Sequence, residues 1–205
     1  MGEVRDRYRA EGGKAYKSDD SIFDVTAWRE AMQTAIEGTL KIRTSVHELI
    51  HEGKSFLAYH NNLSLASGST INIYLETSAS PGSAPHMIAD TSGSGAYDFE
   101  ILEAPTVTAL SGTAQDVYNK NRQSATTSTV SDNDGTSNSV STDVTTTADG
   151  TVIFFDTLSL GNKQGGQKDY DRELILAPST EYVFRLTSRE NGNRVHINLS
   201  WYEPA

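Results

Sequence analysis

The chain has no cysteine, so disulfides and thiolate metal sites are excluded. A cysteine-free chain suits any redox compartment. No stretch approaches the ~18 apolar residues of a membrane span, and no apolar signal-peptide core follows the polar start MGEVRDRYRAEGGK. The Met-Gly start has Asp6 where myristoylation wants Ser or Thr. Positive charge is also short. There are 17 Lys and Arg against 27 Asp and Glu, a net charge of −10. Residues 55–205 carry 8 basic and 17 acidic side chains, giving −9. An acidic body with scattered basic residues argues against nucleic-acid binding, which needs a basic face.

The 205 residues suffice for one sizeable domain, or one domain plus an arm. A domain of this size buries roughly 70% of its unfolded surface, so its core needs no covalent staples. Residues 1–22 carry few large apolar side chains and the pair Gly12-Gly13, and read as an extended arm. Residues 23–38 read as a short helix. Ser21 can cap it, and Trp28, Ala31, Met32, Ala35 and Ile36 form one stripe at i, i+3, i+4, i+7 and i+8. Gly38 offers a stop. Arg5, Arg7, Tyr8, Arg9, Tyr16, Phe23 and Trp28 are the candidate partner-binding residues. The arginines can meet an acidic partner or sit in a solvated tail. The aromatic residues can anchor a neighbour or belong to the domain's own core.

After Gly38 the apolar period becomes two. Leu40, Ile42 and Val46 alternate with polar residues, and β-branched side chains accumulate, which predicts a strand. Residues 39–205 then read as all-β. Expected strands cover 54–60, 70–77, 85–91, 96–103, 106–110, 115–121, 151–160, 171–177, 181–188 and 194–203. Turn residues such as Ser67-Gly68, Asp149-Gly150 and Asn191-Gly192 separate many of them. At the C-terminus Tyr182, Phe184 and Leu186 alternate, E-N-G-N offers a hairpin loop, and Val195, Ile197, Leu199 and Trp201 line one face. A one-residue slip would expose that whole set, so its register is well specified. Between Tyr118 and Phe154 there is no aromatic residue, and Ser and Thr dominate. Residues 122–149 read as a projecting hairpin solvated on both faces, with its tip near Asp134-Gly135; disorder is the competing reading.

Three motifs invite chemistry. H-E-L-I-H at 47–51 matches the zinc-protease pattern H-E-x-x-H, in which two histidines one helical turn apart hold zinc and Glu48 acts as base. On a strand the two histidines would stand about 13 Å apart, too far to share an ion. The extended form also needs Gly and His where Lys54 and Leu57 stand. The bland alternative is hydrogen bonding at a strand-to-turn junction. S-D-N-D-G-T-S-N-S at 131–139 has suggestive acidic spacing, but Val130 and Ser141 stand where a calcium EF-hand needs acids, so a turn is expected. G-N-K-Q-G-G-Q-K at 161–168 lacks P-loop order and reads as a mobile loop. No G-x-S-x-G elbow is present. No catalytic, cofactor-binding or metal-ligating residues are assigned, and the chain reads as a non-enzyme.

Ile50–Phe56, His86–Met87, Tyr118–Arg122 and Arg172–Glu203 together resemble small virion accessory proteins of tailed bacteriophages, the head decoration or capsid cement type. The resemblance covers roughly residues 46–205. It implies a β-sandwich on the capsid exterior that binds the major capsid protein or another virion protein. In that group the H-E-x-x-H stretch would be incidental. The resulting expectation is a mainly β protein, a jelly-roll-like antiparallel β-sandwich with an N-terminal arm and short α-helix. It would act as a homo-oligomer, trimeric by analogy, with no nucleic-acid or membrane partner. The alternatives are a virion adhesin or carbohydrate-binding module and, last, a zinc metalloprotease.

Overall fold

A computed structural model describes residues 47–79, 84–158 and 173–204 in full, and residues 9–11, 14–16, 22–24 and 166–169 as strand backbone. The chain forms two compact units, Met1–Glu48 and Leu49–Ala205. The boundary falls inside a helical turn at 47–51, ten residues beyond the expected boundary at 38.

In the first unit β1 (Arg9–Glu11), β2 (Lys14–Tyr16) and β3 (Ile22–Asp24) form an antiparallel three-stranded sheet. The expected arm is therefore partly sheet. Ile22–Asp24 pairs with Lys14–Tyr16 where a helix was expected to begin. The apolar pair Ile22-Phe23 suits a strand, and cross-strand pairing outweighs the weak cap signal at Ser21. The rest of the expected helix, 25–38, and the expected strand 39–46 lie outside the described residues.

The second unit holds β4 (Ser55–Leu65), β5 (Thr70–Glu76), β6 (His86–Gly93), β7 (Tyr97–Glu103), β8 (Thr106–Val107), β9 (Thr113–Asp116), β10 (Tyr118–Asn119), β11 (Ser139–Thr142), β12 (Thr146–Ala148), β13 (Thr151–Leu158), β14 (Gly166–Asp169), β15 (Leu174–Ile175), β16 (Glu181–Ser188) and β17 (Asn193–Tyr202). One sheet runs β10-β4-β17-β6-β14, with β15 also on β6. The other runs β13-β7-β16-β5-β11-β9. Every pairing is antiparallel. The unit is thus the expected mainly β antiparallel sandwich. Inward residues at period two make the core: Phe56 and Ala58, Ile71, Ile73 and Leu75, Met87 and Ala89, Phe99 and Ile101, Phe184 and Leu186, and Ile197, Leu199 and Trp201 are all buried.

Two expectations within this unit are corrected. The C-terminal strands do not form a hairpin. β16 pairs with β5 and β7, and β17 with β4 and β6, so Arg189–Gly192 carries the chain from one sheet to the other. Both strands have a full apolar face, and an arch lets each face the core from opposite sides. Asn193, buried at the arch, accepts hydrogen bonds from Gly95 N (2.7 Å) and Ser94 Oγ (3.2 Å). It donates to Ala96 O and Ser188 Oγ (3.1 Å each). Its amide therefore ties this arch to the parallel crossing between β6 and β7.

The Ser/Thr-rich segment 122–149 is not a hairpin solvated on both faces. Val130, Val140 and Val144 are buried, and so are Ser139, Ser141 and Thr142 of β11. The buried hydroxyls are satisfied locally: Ser139 Oγ donates to Gln115 O (3.0 Å) and Thr142 Oγ1 to Thr113 O (3.1 Å). Once so paired, small polar side chains can be buried at little cost. Val144 packs with Tyr74, Leu102 and Val183 in a second apolar cluster on the outer face of β5, β7 and β16. Buried Glu203 closes the segment's other end, accepting from Ser128 Oγ (2.5 Å), Thr129 N (3.0 Å) and Trp201 Nε1 (3.0 Å). The expected tip is a turn, with Gly135 N donating to Asp132 O (3.0 Å). Gly166–Asp169, assigned to a mobile loop, pairs with Asp90–Gly93.

Asn193→Ala removes four hydrogen bonds and takes the acceptor from the buried Gly95 N. It should lower stability by about 2–4 kcal/mol in urea unfolding. A loss below the measurement error would show that the arches close without this amide.

A candidate binding face on one sheet

The residues that point away from the core on β4, β17, β6 and β10 are brought together by register. Asn198 lies between Tyr59 and Asp90, His196 between Asn61 and Ser92, and Tyr202 beside His86. Tyr118 pairs with Leu57 at the sheet edge. Alternation that buries Val195, Ile197, Leu199 and Trp201 leaves His196, Asn198, Ser200 and Tyr202 half-buried on the opposite side.

Aromatic rings form two groups on this face. Tyr59, 40% exposed, stacks with Tyr118 (centroids 6.3 Å apart) and leans on His196 (6.1 Å). The Arg122 guanidinium lies 5.5 Å over the Tyr118 ring, a cation–π distance. At the other end His86 and Tyr202 stack at 4.6 Å. Glu173 binds both, accepting from Tyr202 OH (2.5 Å) and from His86 Nδ1. Between the groups Asn198 Nδ2 faces Asp90 Oδ2 (3.4 Å), and Lys120 Nζ bonds Ser200 Oγ.

The charges here are restrained. Burial lowers the Lys120 ammonium from its ordinary value, and the Asp90 charge opposes that. Burial lowers His196 as well; Asp90 works against the shift and His60 adds to it. His196 is therefore neutral at pH 7. Burial, then the hydrogen bond and charge of Glu173, pushes Tyr202 up to about 12. The face offers flat rings, amides and the carboxylates of Asp90 and Glu173, groups suited to stacking and hydrogen bonding.

The residues expected to contact a partner lie in the first unit. Arg9 and Tyr16 are cross-strand partners, and Phe23 pairs with Ala15. Arg5, Arg7, Tyr8 and Trp28 lie outside the described residues. The histidine motif is corrected in its geometry: residues 47–51 are helical, not a strand end. Lys54 N closes the turn on Leu49 O (2.8 Å). Gly53 ends it at φ 73°, where an added Cβ would sit 2.1 Å from Ser124 Oγ. Helical spacing supplies two imidazoles on one side. Among the described residues no group of three or more His, Cys, Asp or Glu is arranged to hold a metal. Likewise no described helix is long and apolar enough to cross a membrane.

No protein-family model, curated protein or solved structure matches the chain.

Sequence reasoning read the polar side of β17 but missed the site as a site. Tyr59, Tyr118 and Asp90 join it only through strand pairing, which alternation alone does not reveal.

Tyr202 and His86 hold Glu173 below its ordinary value of 4.5. A depressed carboxyl adds stability above that value, and the contribution disappears as pH falls through the lowered one. Tyr202→Phe should cost about 0.5 kcal/mol near pH 7, allowing for solvent screening. The difference from wild type should shrink below about pH 4 in acid unfolding curves. A difference constant from pH 7 to pH 3 would show that Tyr202 acts by packing alone.

Proposed function

We propose that this chain is a structural virion protein that decorates a bacteriophage capsid exterior and stabilises it by binding across capsid subunits. The observation that carries the reading is where the resembling segments meet. Ile50–Phe56, His86–Met87, Tyr118–Arg122 and Arg172–Glu203 are far apart in sequence, and within the last of them Glu181–Ser188 joins the other sheet. Yet Phe56 pairs with both Asn119 and Trp201, Trp201 with Met87, and Glu203 N donates to Lys54 O (3.0 Å). Apart from Glu181–Ser188 they meet in one sheet and the candidate face on it, as a shared structural unit would.

The sandwich in this reading is a jelly roll. Its support is strand order: the eight principal positions alternate as β4-β17-β6-β14 and β13-β7-β16-β5, the arrangement of two interlocked Greek keys. Self-association, trimeric by analogy, is favoured by the edge strand β13, which exposes Val152, Ile153 and Phe155. The protein carries out no catalysis. Its outer face and first unit, with Arg9, Tyr16 and Phe23 on paired strands, contact capsid subunits. Affinity for assembled shell but not for separated subunits stabilises the shell by mass action.

Phage particles assembled without the protein test this directly. The full chain should bind them to saturation and raise the temperature at which they release their contents. Tyr59→Ala with Tyr118→Ala should weaken binding tenfold or more, the scale expected for aromatic anchors. Deleting residues 1–22 should weaken it independently. A full chain that fails to bind such particles sinks the reading. Undiminished binding by the double variant moves the contact away from this face.

A second reading, a glycan-binding virion module, is favoured by the Tyr59–Tyr118 pair beside Asn198 and Asp90. Stacked rings next to hydrogen-bonding groups suit a sugar ring. It predicts that the isolated chain binds immobilised glycans and that Tyr59→Ala abolishes the signal. No binding across a broad glycan panel removes it.

A further inference from the structure

The Asp132–Thr136 turn is built tightly. Asp132 Oδ1 accepts from Asp134 N (3.1 Å) and Thr136 N (2.9 Å). Asp134 Oδ1 accepts from Thr136 N (3.0 Å) and Thr136 Oγ1 (2.5 Å). Asn133 bolts the turn to neighbouring chain. Its Nδ2 donates to Thr108 O (2.8 Å) and Ser111 O (3.0 Å), and its N–H donates to Ser141 Oγ (3.0 Å). Such hydrogen bonding is ordinary turn construction and by itself points to no ligand.

The other oxygen of Asp132 does not fit that account. Asp132 is only 1% exposed. Among the described residues its Oδ2 is buried without any hydrogen-bond partner. Buried carboxylates are ordinarily paired, hydrogen-bonded or bound to metal. Asp132 lines a cavity of about 70 Å³ together with Asp134, Asn133, Ser111 and Ser141. With Oδ1 committed to the turn, Oδ2 is the acceptor that its carboxylate has left for an occupant. That volume exceeds what a single water needs.

The surroundings add negative charge. Burial first, and then the charges of Glu181, Glu76 and Asp132, oppose ionisation of Tyr74, so all three acids lie within electrostatic reach of that hydroxyl. None of the ion pairs among the described residues includes Asp132, Asp134, Glu76 or Glu181.

We propose that this cavity is a calcium site in which the Asp132 and Asp134 carboxylates are the charged ligands. Neutral oxygens of the cavity wall and water complete the shell. All the donors are hard oxygens, and Ca²⁺ accepts irregular oxygen cages that Mg²⁺, bound to octahedral geometry, does not. The EF-hand pattern fails here because its ligands follow one another along a loop. This site instead takes its wall from two segments, 110–114 and 132–141. Two carboxylates place the affinity at the weak end of protein calcium sites, Kd about 10⁻⁴–10⁻³ M. An ion there clamps the Ser/Thr-rich segment to the loop before β9, whatever partner the protein binds.

The test is thermal unfolding of the full chain, first in EDTA and then with calcium. At 10 mM Ca²⁺ the Tm should rise by about 3–10 °C, from mass action at that affinity. MgCl2 at the same concentration should give less than half the rise, which separates coordination from general screening of an acidic protein. Asp132→Asn keeps the Oδ1 acceptor and removes the buried charge, so it should be at least as stable as wild type in EDTA. It should also lose the calcium-specific rise. Asp134→Asn, on the exposed side of the turn, should lose it independently. No rise with calcium, an equal rise with magnesium, or a calcium-specific rise that persists in either variant overturns the site.

Discussion

Closure of the sandwich depends on the chain crossing between sheets without leaving backbone groups unpaired. β16 and β17 are consecutive, yet each sits at the middle of a different sheet, flanked on both sides. Their inward residues, among them Phe184, Leu186, Ile197, Leu199 and Trp201, meet across the core. The short link between these two central strands turns sharply, with exposed residues 189–192 held between buried Ser188 and buried Asn193. Asn193 makes that possible because one amide supplies both donors and acceptors, and it serves two neighbouring crossings at once. Every outward-facing residue inherits its position from that arrangement. The candidate face exists because β17 is held between β4 and β6 with its other side buried.

Strands were legible because period two reports burial directly. The long strands β4, β5, β6, β7, β13, β16 and β17 lie where alternation placed them. What alternation cannot report is which sheet a strand joins. Asn191-Gly192 suits a tight hairpin, and nothing local distinguishes that from an arch. The choice is made by the need of two fully apolar faces to be covered, which is a property of the whole sandwich. The Ser/Thr-rich segment misled for a related reason. Counting aromatic residues missed that Val130 and Val140 join the main core and Val144 the second cluster, while the hydroxyls around them bond to nearby carbonyls. Val144 alone is fixed by Asn72 from both sides: Asn72 Nδ2 donates to Val144 O (3.0 Å), and Val144 N donates to Asn72 Oδ1 (2.9 Å).

The candidate face was half legible. His196, Asn198, Ser200 and Tyr202 announce a polar side to an apolar strand. Their neighbours come from residues 59, 90 and 118, which no spacing rule connects. The histidine motif shows the opposite error. Its letters describe a helix correctly, but the upstream alternation at Leu40, Ile42 and Val46 argued for a strand. A single turn between Val46 and Gly53 obeys its own end signals, not the period of its neighbour.

Electrostatics separates the two regions of interest. On the aromatic face the groups are muted: His196 is neutral, Lys120 is half-buried beside Asp90, and Arg122 lies over a ring. A contact made there would rest on stacking and shape more than on charge. On the other sheet, Arg185 bridges Glu100 (2.6 Å) and Asp149 (2.8 Å), and Arg189 holds Asp98 (2.9 Å). Those two arginines neutralise acids along β7 and its surroundings but leave the turn at Asp132 to β11's end of the sheet. A chain with −9 over residues 55–205 can compensate its surplus acids by spreading them into solvent or by collecting a cation. Asp132 has given up the first route by being buried, and its unpaired oxygen is where the second would act.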